Sequence, residues 1–497
     1  MLGLADARVA VYQQQHPVYP EAAPFHPSER YPESPFAEVG ARNETYAAVR
    51  QLFIALGFDA QHQGTAQWNP LGALIRPGDT VVLKPNFVRD FPDPGGHWMS
   101  LNTAAPLIRA VLDYVAIALR GSGSVTIADA PMNDTNFDEV VRKTKLDSVV
   151  AYLASQGFAV GLVDIRPERV EKREGIVVRT ITLPGDPNGY ARVDLGTASA
   201  FYDLPPGHGA FYGADYDMEE TNQRHRGNTH EYLISGTVLK ADVVINLPKY
   251  KTHKKTGVTL SLKNLVGING NKNWLPHHRE GTPAQGGDQF AASGIKQRLE
   301  HWLVGQFKRR VRHGLVGDRP VAVALKRAGT LVFGDTNKGT IRSGNWYGND
   351  TTWRMVHDLN RVLLYADARG VLRDQPQRRY LSILDGVVAG EGNGPMASTD
   401  KPTGIVAAAT NVLALDLACA RLMGFDYLRI PQLHQALRSH RYPLCQYTYA
   451  DVRILSNVHQ WHGLLEEIEG RCLDFVPHFG WQGHVEVASP DRQRVAG

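Results

Sequence analysis

Residues 243–278 read VVINLPKYKTHKKTGVTLSLKNLVGINGNKNWLPHH, with six lysines, three histidines and no acid between Asp242 and Glu280. Like charges so crowded repel one another unless a counter-ion joins them, so the segment is read as a binding place for an anion rather than as a solvated basic loop. Phosphate or carboxylate is the natural guest. Lys249, Lys254 and Lys263, with Lys84 from an earlier segment, would neutralise it, and Asn86, Thr256, Asn264 and Asn393 would hydrogen-bond it. His253 and Lys251 are the candidates for proton transfer, because burial or neighbouring charge can bring either side chain near neutrality.

A second unusual stretch is DGVVAGEGNGP, residues 385–395, in which Gly390, Gly392 and Gly394 alternate around Glu391 and Asn393. It is expected to be a tightly turned loop presenting Glu391 as a third catalytic candidate. Asp129, Asp335 and Asp385 stand at the ends of apolar runs and together would offer oxygen ligands to Mg²⁺. A plain glycine turn and ordinary helix-capping or turn aspartates are the alternative.

Around these residues short aliphatic runs alternate with amphipathic stretches. TVVLKP, SVTIADAP, VVINLPK, TLVFGDTN, YLSILDG and TGIVAAAT read as strands, each delivering polar residues at or near its end. ETYAAVRQLFIALGF, APLIRAVLDYVAIALRG and NVLALDLACARLMG read as helices, the last stopped by Gly424. The pattern predicts an α/β fold with a mainly parallel, Rossmann-like sheet flanked by helices, interrupted by long insertions at about 183–235 and 265–330. Ligands of such sheets bind beyond the carboxyl ends of the strands, where the candidate residues fall. A helix is expected from Thr256 and Gly257, its N-terminus adding to the anion site. Residues 1–36, rich in Pro, Gln and His, are expected to form an arm. Residues 37–428 form the α/β domain, and 429–497 a C-terminal extension.

RSGNWYGNDTTWRMVHDLNRVLLYAD reads as a site wall running into a helix, with Arg354 and Asp358 as a surface pair. KQRLEHWLVGQFKRRVRHG, 296–314, reads as a basic amphipathic helix, packed on the body rather than docked on a membrane. Peripheral membrane contact is thus the less favoured use of it.

Composition narrows the class. With 43% hydrophobic and 21% charged residues the chain is an ordinary globular one, and a formal charge of +4 over 497 residues gives no ground for specific nucleic-acid binding. Cys419, Cys445 and Cys472 are too scattered for a zinc site or an iron–sulfur cluster run, so neither is expected. The N-terminus has no signal-peptide pattern, and a cytoplasmic protein is expected.

The motifs VVLKPNFV, ADAP, VINLPKYKTHKKTGVTLSLKNLVG and LDGVVAGEGNGP, the last followed by NVLALDLACARLMGF, resemble those of the domain of unknown function 362 family, in the same order, from about residue 70 to 428. The chain is similar to the longer members without a ferredoxin module. Such members imply a link to surface-polysaccharide biosynthesis but no secure reaction.

The expectation is therefore an enzyme acting on a small phosphate- or carboxylate-bearing substrate, with Mg²⁺ as candidate cofactor and phosphoryl or glycosyl-phosphate transfer as the leading reaction. A racemase or epimerase using Lys or His, and a non-catalytic polyanion-binding or membrane-surface accessory protein, stay open. On this reading Lys249→Ala and Lys251→Ala weaken ligand binding without harming the fold, and Glu391→Gln removes turnover or Mg²⁺ dependence. Substrate and oligomeric state are not legible.

Overall fold

The computed structural model describes residues 3–173, 176–213, 218–292, 339–470 and 472–487. The expected basic helix 296–314, the strand TLVFGDTN and Asp335 lie outside them.

The described residues build a mixed α/β fold around a large, mostly parallel sheet. Its strands are β1 (Arg8–Gln13), β2 (Thr80–Pro85), β3 (Ser124–Asp129), β4 (Val160–Asp164), β5 (Val243–Leu247), β6 (Lys249–His253), β7 (Arg379–Asn393), β8 (Ala397–Ala409), β9 (Arg453–Ser456) and β10 (Gly463–Leu464). They lie in the order β10-β9-β1-β8-β7-β5-β2-β3-β4, with β6 branching off against β7. From β7 to β4 all neighbours are parallel; the β7–β8 and β8–β1 pairs are antiparallel. The chain runs outward from β2 through β3 and β4, then resumes on the other side of β2 with β5. That reversal opens a crevice at the carboxyl ends of β2 and β5.

Strand β2 shows why this sheet is fully covered. Val82 joins a core with Val244, Leu260, Leu262 and Leu417, while Val81 and Leu83 join another with Val49, Leu52, Leu107 and Val111. A strand with apolar residues on both faces must be roofed on both. Helices α1 (Glu44–Ala55) and α2 (Ala105–Leu119) cover one face; α3 (Leu260–Asn264), α4 (Thr352–Tyr365) and α5 (Val412–Leu422) cover the other. Asn43 caps α1 and Asn411 caps α5, and Gly424 follows α5 at φ +86°. Thr80–Pro85, Val243–Leu247 and helices α1, α2 and α5 match the segments read from sequence.

Four expectations are corrected. Residues 1–36 are more than an arm: β1 is an interior strand, paired with both β8 and β9, because VAV buries into the sheet. The C-terminal extension likewise adds β9 and β10 to the same sheet. Residues 385–393 are the distal part of a fifteen-residue strand, and only Gly394 and Pro395 enter the turn after it. Its glycines serve close packing: a Cβ at Gly386 would meet the Tyr250 ring at 2.7 Å, and one at Gly390 would meet Lys251 Cβ and Ser100 Cβ at 3.0 Å. Finally, no helix starts at Thr256. Lys249–His253 is a strand, Gly257–Val258 pairs back on it, and helix begins at Leu260.

Candidate functional site

The carboxyl ends of β2 and β3, the β6 segment, α3 and the loop after it enclose a cavity of about 460 Å³. Lys84 and Asn86 reach it from the end of β2, and Asp129 from the end of β3. Lys251, His253, Lys254 and Lys255 come from β6 and the turn after it, Lys263 and Asn264 from α3. Lys272, His277 and His278 arrive on the 265–295 insertion, Lys172 from a hairpin after β4, and Arg342 from the RSGN stretch. Eight Lys and Arg side chains thus face a single carboxylate, Asp129, among the lining residues described.

That carboxylate is already engaged. Lys84 Nζ lies 2.7 Å from Asp129 Oδ1, and the Phe87 amide donates to Oδ2 at 2.7 Å. Burial pulls the lysine down and pushes the aspartate up, while their mutual attraction holds them charged. Gly267 roofs the pair; a Cβ there would lie 2.2 Å from Asp129 Oδ1 and 2.6 Å from Lys84 Nζ. Asn264 links the strands by donating to Asn246 Oδ1 at 2.6 Å and accepting from Asn86 Nδ2 at 2.9 Å. Asn86 Oδ1 is buried with no donor among the described residues.

Three of the other lysines are held by backbone carbonyls. Lys251 donates to the Leu101 carbonyl at 2.7 Å, Lys272 to that of Ala130 at 2.5 Å, and Lys255 to that of Ser343 at 2.5 Å. Burial, then the charges of Lys249 and Lys263, lower Lys251 well below an ordinary lysine. Burial, with Lys254 adding to it, lowers Lys255 to about 7, and burial lowers Lys272 to about 7 despite nearby Asp129. Lys263 falls to about 8 through burial and the Lys84 charge. His253 Nδ1 accepts from the Lys255 amide at 3.0 Å and the Thr256 amide at 3.3 Å, so the neutral ring carries its proton on Nε2. Burial and then Lys263 hold that ring neutral.

Eight residues predicted from sequence therefore converge: Lys84, Asn86, Asp129, Lys251, His253, Lys254, Lys263 and Asn264. Others do not line the cavity. Lys249 is fully buried, 3.0 Å from Asp385, and it also donates to the Tyr19 hydroxyl at 2.7 Å. Asp385 in turn accepts from Tyr19 Oη at 2.5 Å and the Ala104 amide at 2.8 Å, so its oxygens are filled. Asp129 and Asp385, each tied to its own lysine, do not form the expected oxygen-rich pair. No group of three or more His, Cys, Asp or Glu able to hold a metal occurs among the described residues. Glu391 pairs with Lys401 at 2.9 Å and accepts from the Val476 amide, away from the cavity. Thr256 donates to the Val258 carbonyl at 2.9 Å, and Asn393 ends β7; neither lines the cavity. The N-terminus of α3 holds the chain's own carboxylate: Asp416 accepts from the Ser261 and Leu262 amides at 2.7 and 2.9 Å. Gly257 brings the backbone against the Trp481 ring rather than a ligand.

Lys255 belongs to the basic run that reads as an anion site, whereas Lys272 and Arg342 carry no signal beyond their charge. Arg342, Ser343 and Asn345 of the RSGN stretch line the cavity. The helix behind it is buried rather than superficial: Asp358 accepts from Ser199, Tyr232 and the Ala200 amide, and Arg354 pairs with Asp350 and Asp203.

The family model described as "Domain of unknown function (DUF362)" matches residues 196–421. It bears out the resemblance over β5, β6, α3, β7, β8 and α5, whereas the β2 and β3 motifs lie before the matched stretch. A thylakoid-associated protein of Synechocystis sp. is 25% identical over 227 residues, 45% of this chain and 43% of its own length. The chain thus spans less than half of that relative. No helix among the described residues is long and apolar enough to cross a membrane.

Proposed function

We propose that this protein is an enzyme whose substrate is a small, multiply anionic molecule, carrying phosphate or carboxylate groups, bound in the 460 Å³ cavity. One observation carries the reading: eight cationic side chains against one carboxylate that already belongs to Lys84. Lysines lowered to about 7 or 8 are cations kept close to their neutral form, and an arriving anion restores their charge. The strand order, which reverses between β2 and β5, supports a Rossmann-like assignment, and the cavity lies where such sheets bind ligands.

Among the reactions open to such a site, proton transfer beside an anionic group fits the residues best, with His253 or a neutral lysine as the acid or base. Phosphoryl transfer would require Mg²⁺, and the residues present do not fit a protein-held ion. Asp129 is neutralised by Lys84, and the surrounding cations repel a second positive charge. A non-catalytic polyanion-binding protein is the second reading, favoured by the same excess of lysine.

Thermal unfolding with inorganic phosphate, pyrophosphate, citrate and a neutral sugar tests the reading. A polyanion at about a hundred times its Kd should stabilise the fold by about 2.7 kcal/mol, and the sugar should not. Equal response to all four would sink the proposal, and tight binding of every metabolite tried without turnover would favour the second reading.

A further inference from the structure

Resting on that reading, we propose that Lys263 is an imine-forming nucleophile for a carbonyl-bearing anionic substrate: an aldehyde or ketone that also carries phosphate or carboxylate. The geometry separates this lysine from its neighbours. Lys84 is paired with Asp129, and Lys251, Lys255 and Lys272 each donate to a backbone carbonyl that holds the nitrogen against the wall. Lys172 pairs with Asp134 at 3.8 Å. Lys263 lines the same cavity, and no hydrogen bond or ion pair of its ammonium occurs among the described residues.

Its position is nonetheless fixed. The α3 backbone from which it projects is anchored by the two amide bonds to Asp416, and the next residue, Asn264, is tied to both Asn246 and Asn86. A side chain held at its base and without a partner at its tip is what a nucleophile needs. Burial and the Lys84 charge also leave an appreciable fraction as free amine near neutral pH.

The step balances without another reagent. The neutral amine adds its nitrogen lone pair to the carbonyl carbon, forming the C–N bond. The two amine protons pass to the former carbonyl oxygen, which leaves as water, giving the imine. His253, with its proton on Nε2 and its Nδ1 occupied as an acceptor, is the adjacent group able to relay a proton. The surrounding cations hold the substrate's anionic end while the imine forms, and the same charges stabilise an electron pair developing next to it.

Pyridoxal 5′-phosphate, an aldehyde with a phosphate, is a suitable probe. The intact protein is incubated with it at equimolar ratio, reduced with cyanoborohydride and mapped by peptide mass spectrometry, while pyrophosphate binding is measured separately by calorimetry. One pyridoxyl group per chain on Lys263 is expected, blocked by pyrophosphate. Pyridoxal, lacking the phosphate, should label about tenfold more slowly or worse, the loss of one charge-assisted contact. Lys263→Arg should lose the label while pyrophosphate still binds, and more tightly than to Lys263→Met, since the charge remains. If pyrophosphate binds but the label falls on Lys255, Lys272 or many lysines, the imine role is overturned while the anion cavity stands. If pyrophosphate does not bind at all, the underlying reading fails, and the imine with it.

Discussion

Lys249 and Lys251 are two residues apart on one strand, yet they belong to opposite electrostatic situations. Lys249 sits in a closed knot with Asp385 and the Tyr19 hydroxyl, all of its charge matched within the chain. Lys251 opens onto a cavity where seven further cations meet one carboxylate that Lys84 has already claimed. The first arrangement is a structural bond between the β6–β7 strands and the N-terminal segment. On the proposed reading, an anion from outside completes the second. A lysine-rich motif can therefore hold both kinds of residue, and only the location of the acids separates them.

The largest effect should come from breaking the closed knot. Lys249→Ala leaves Asp385 buried and unpaired, so a loss of about 3–5 kcal/mol is expected, read as a fall in chemical-denaturation midpoint. This reverses the expectation from sequence, in which Lys249 served the ligand. A variant of wild-type stability would show that the two regions do not differ as described.

The opposite outcome is expected in the cavity. Lys263→Met should leave the ligand-free stability unchanged or raised, because it removes a half-buried charge with no acid beside it among the described residues. It should weaken pyrophosphate by about ten- to a hundredfold, the worth of a charge-assisted contact. A strongly destabilised Lys263→Met would mean that the cavity lysines are structural too.

Gly267→Ala probes the Lys84–Asp129 pair within the cavity. Its Cβ would intrude between Asp129 and Lys84, at 2.2 and 2.6 Å, and overpacking of this kind costs about 1–3 kcal/mol. A neutral substitution there would show that the pair can shift aside.

A pH series sharpens the contrast further. Lys255 and Lys272 release their protons near 7 when folded, against 10.5 for a free lysine. Between those values the unfolded chain holds more protons, so these two groups make ligand-free stability rise with pH through that window. Below about 7 both states are protonated and the folded state bears the full penalty. The double variant Lys255→Met, Lys272→Met should flatten this rise; an unchanged slope would count against the depressed lysines. Glu391→Gln should do least. Its partner is Lys401, part-exposed, so a change within about 1 kcal/mol and unaltered pyrophosphate binding are expected.

Much of this was legible beforehand, for definable reasons. The parallel strands announce themselves as aliphatic runs because both faces are buried, and Asn43, Asn411 and Gly424 mark helix ends by their own chemistry. The rule that ligands sit at strand carboxyl ends points to Lys84, Asp129, Lys249 and Asp385 together, and of these Lys84 and Asp129 line the cavity while Lys249 and Asp385 pair with each other outside it. What stayed hidden depends on contacts between distant segments. Nothing near Lys249 in sequence reveals that Tyr19 and Asp385 enclose it. Gly386 and Gly390 look like turn residues, and only the approach of β6 explains them as close packing. Lys272 and Arg342 reach the cavity along irregular loops, for which no periodicity exists to read.

The most direct measurement is calorimetric titration of the intact protein with inorganic pyrophosphate at pH 8, repeated in buffers of different ionisation enthalpy. Lysines lowered to about 7 or 8 must regain protons when an anion arrives, so one pyrophosphate per chain should bind with net proton uptake, weakening as salt is raised. Absence of binding, or binding with no protons taken up, would contradict an anion site built from uncompensated lysines.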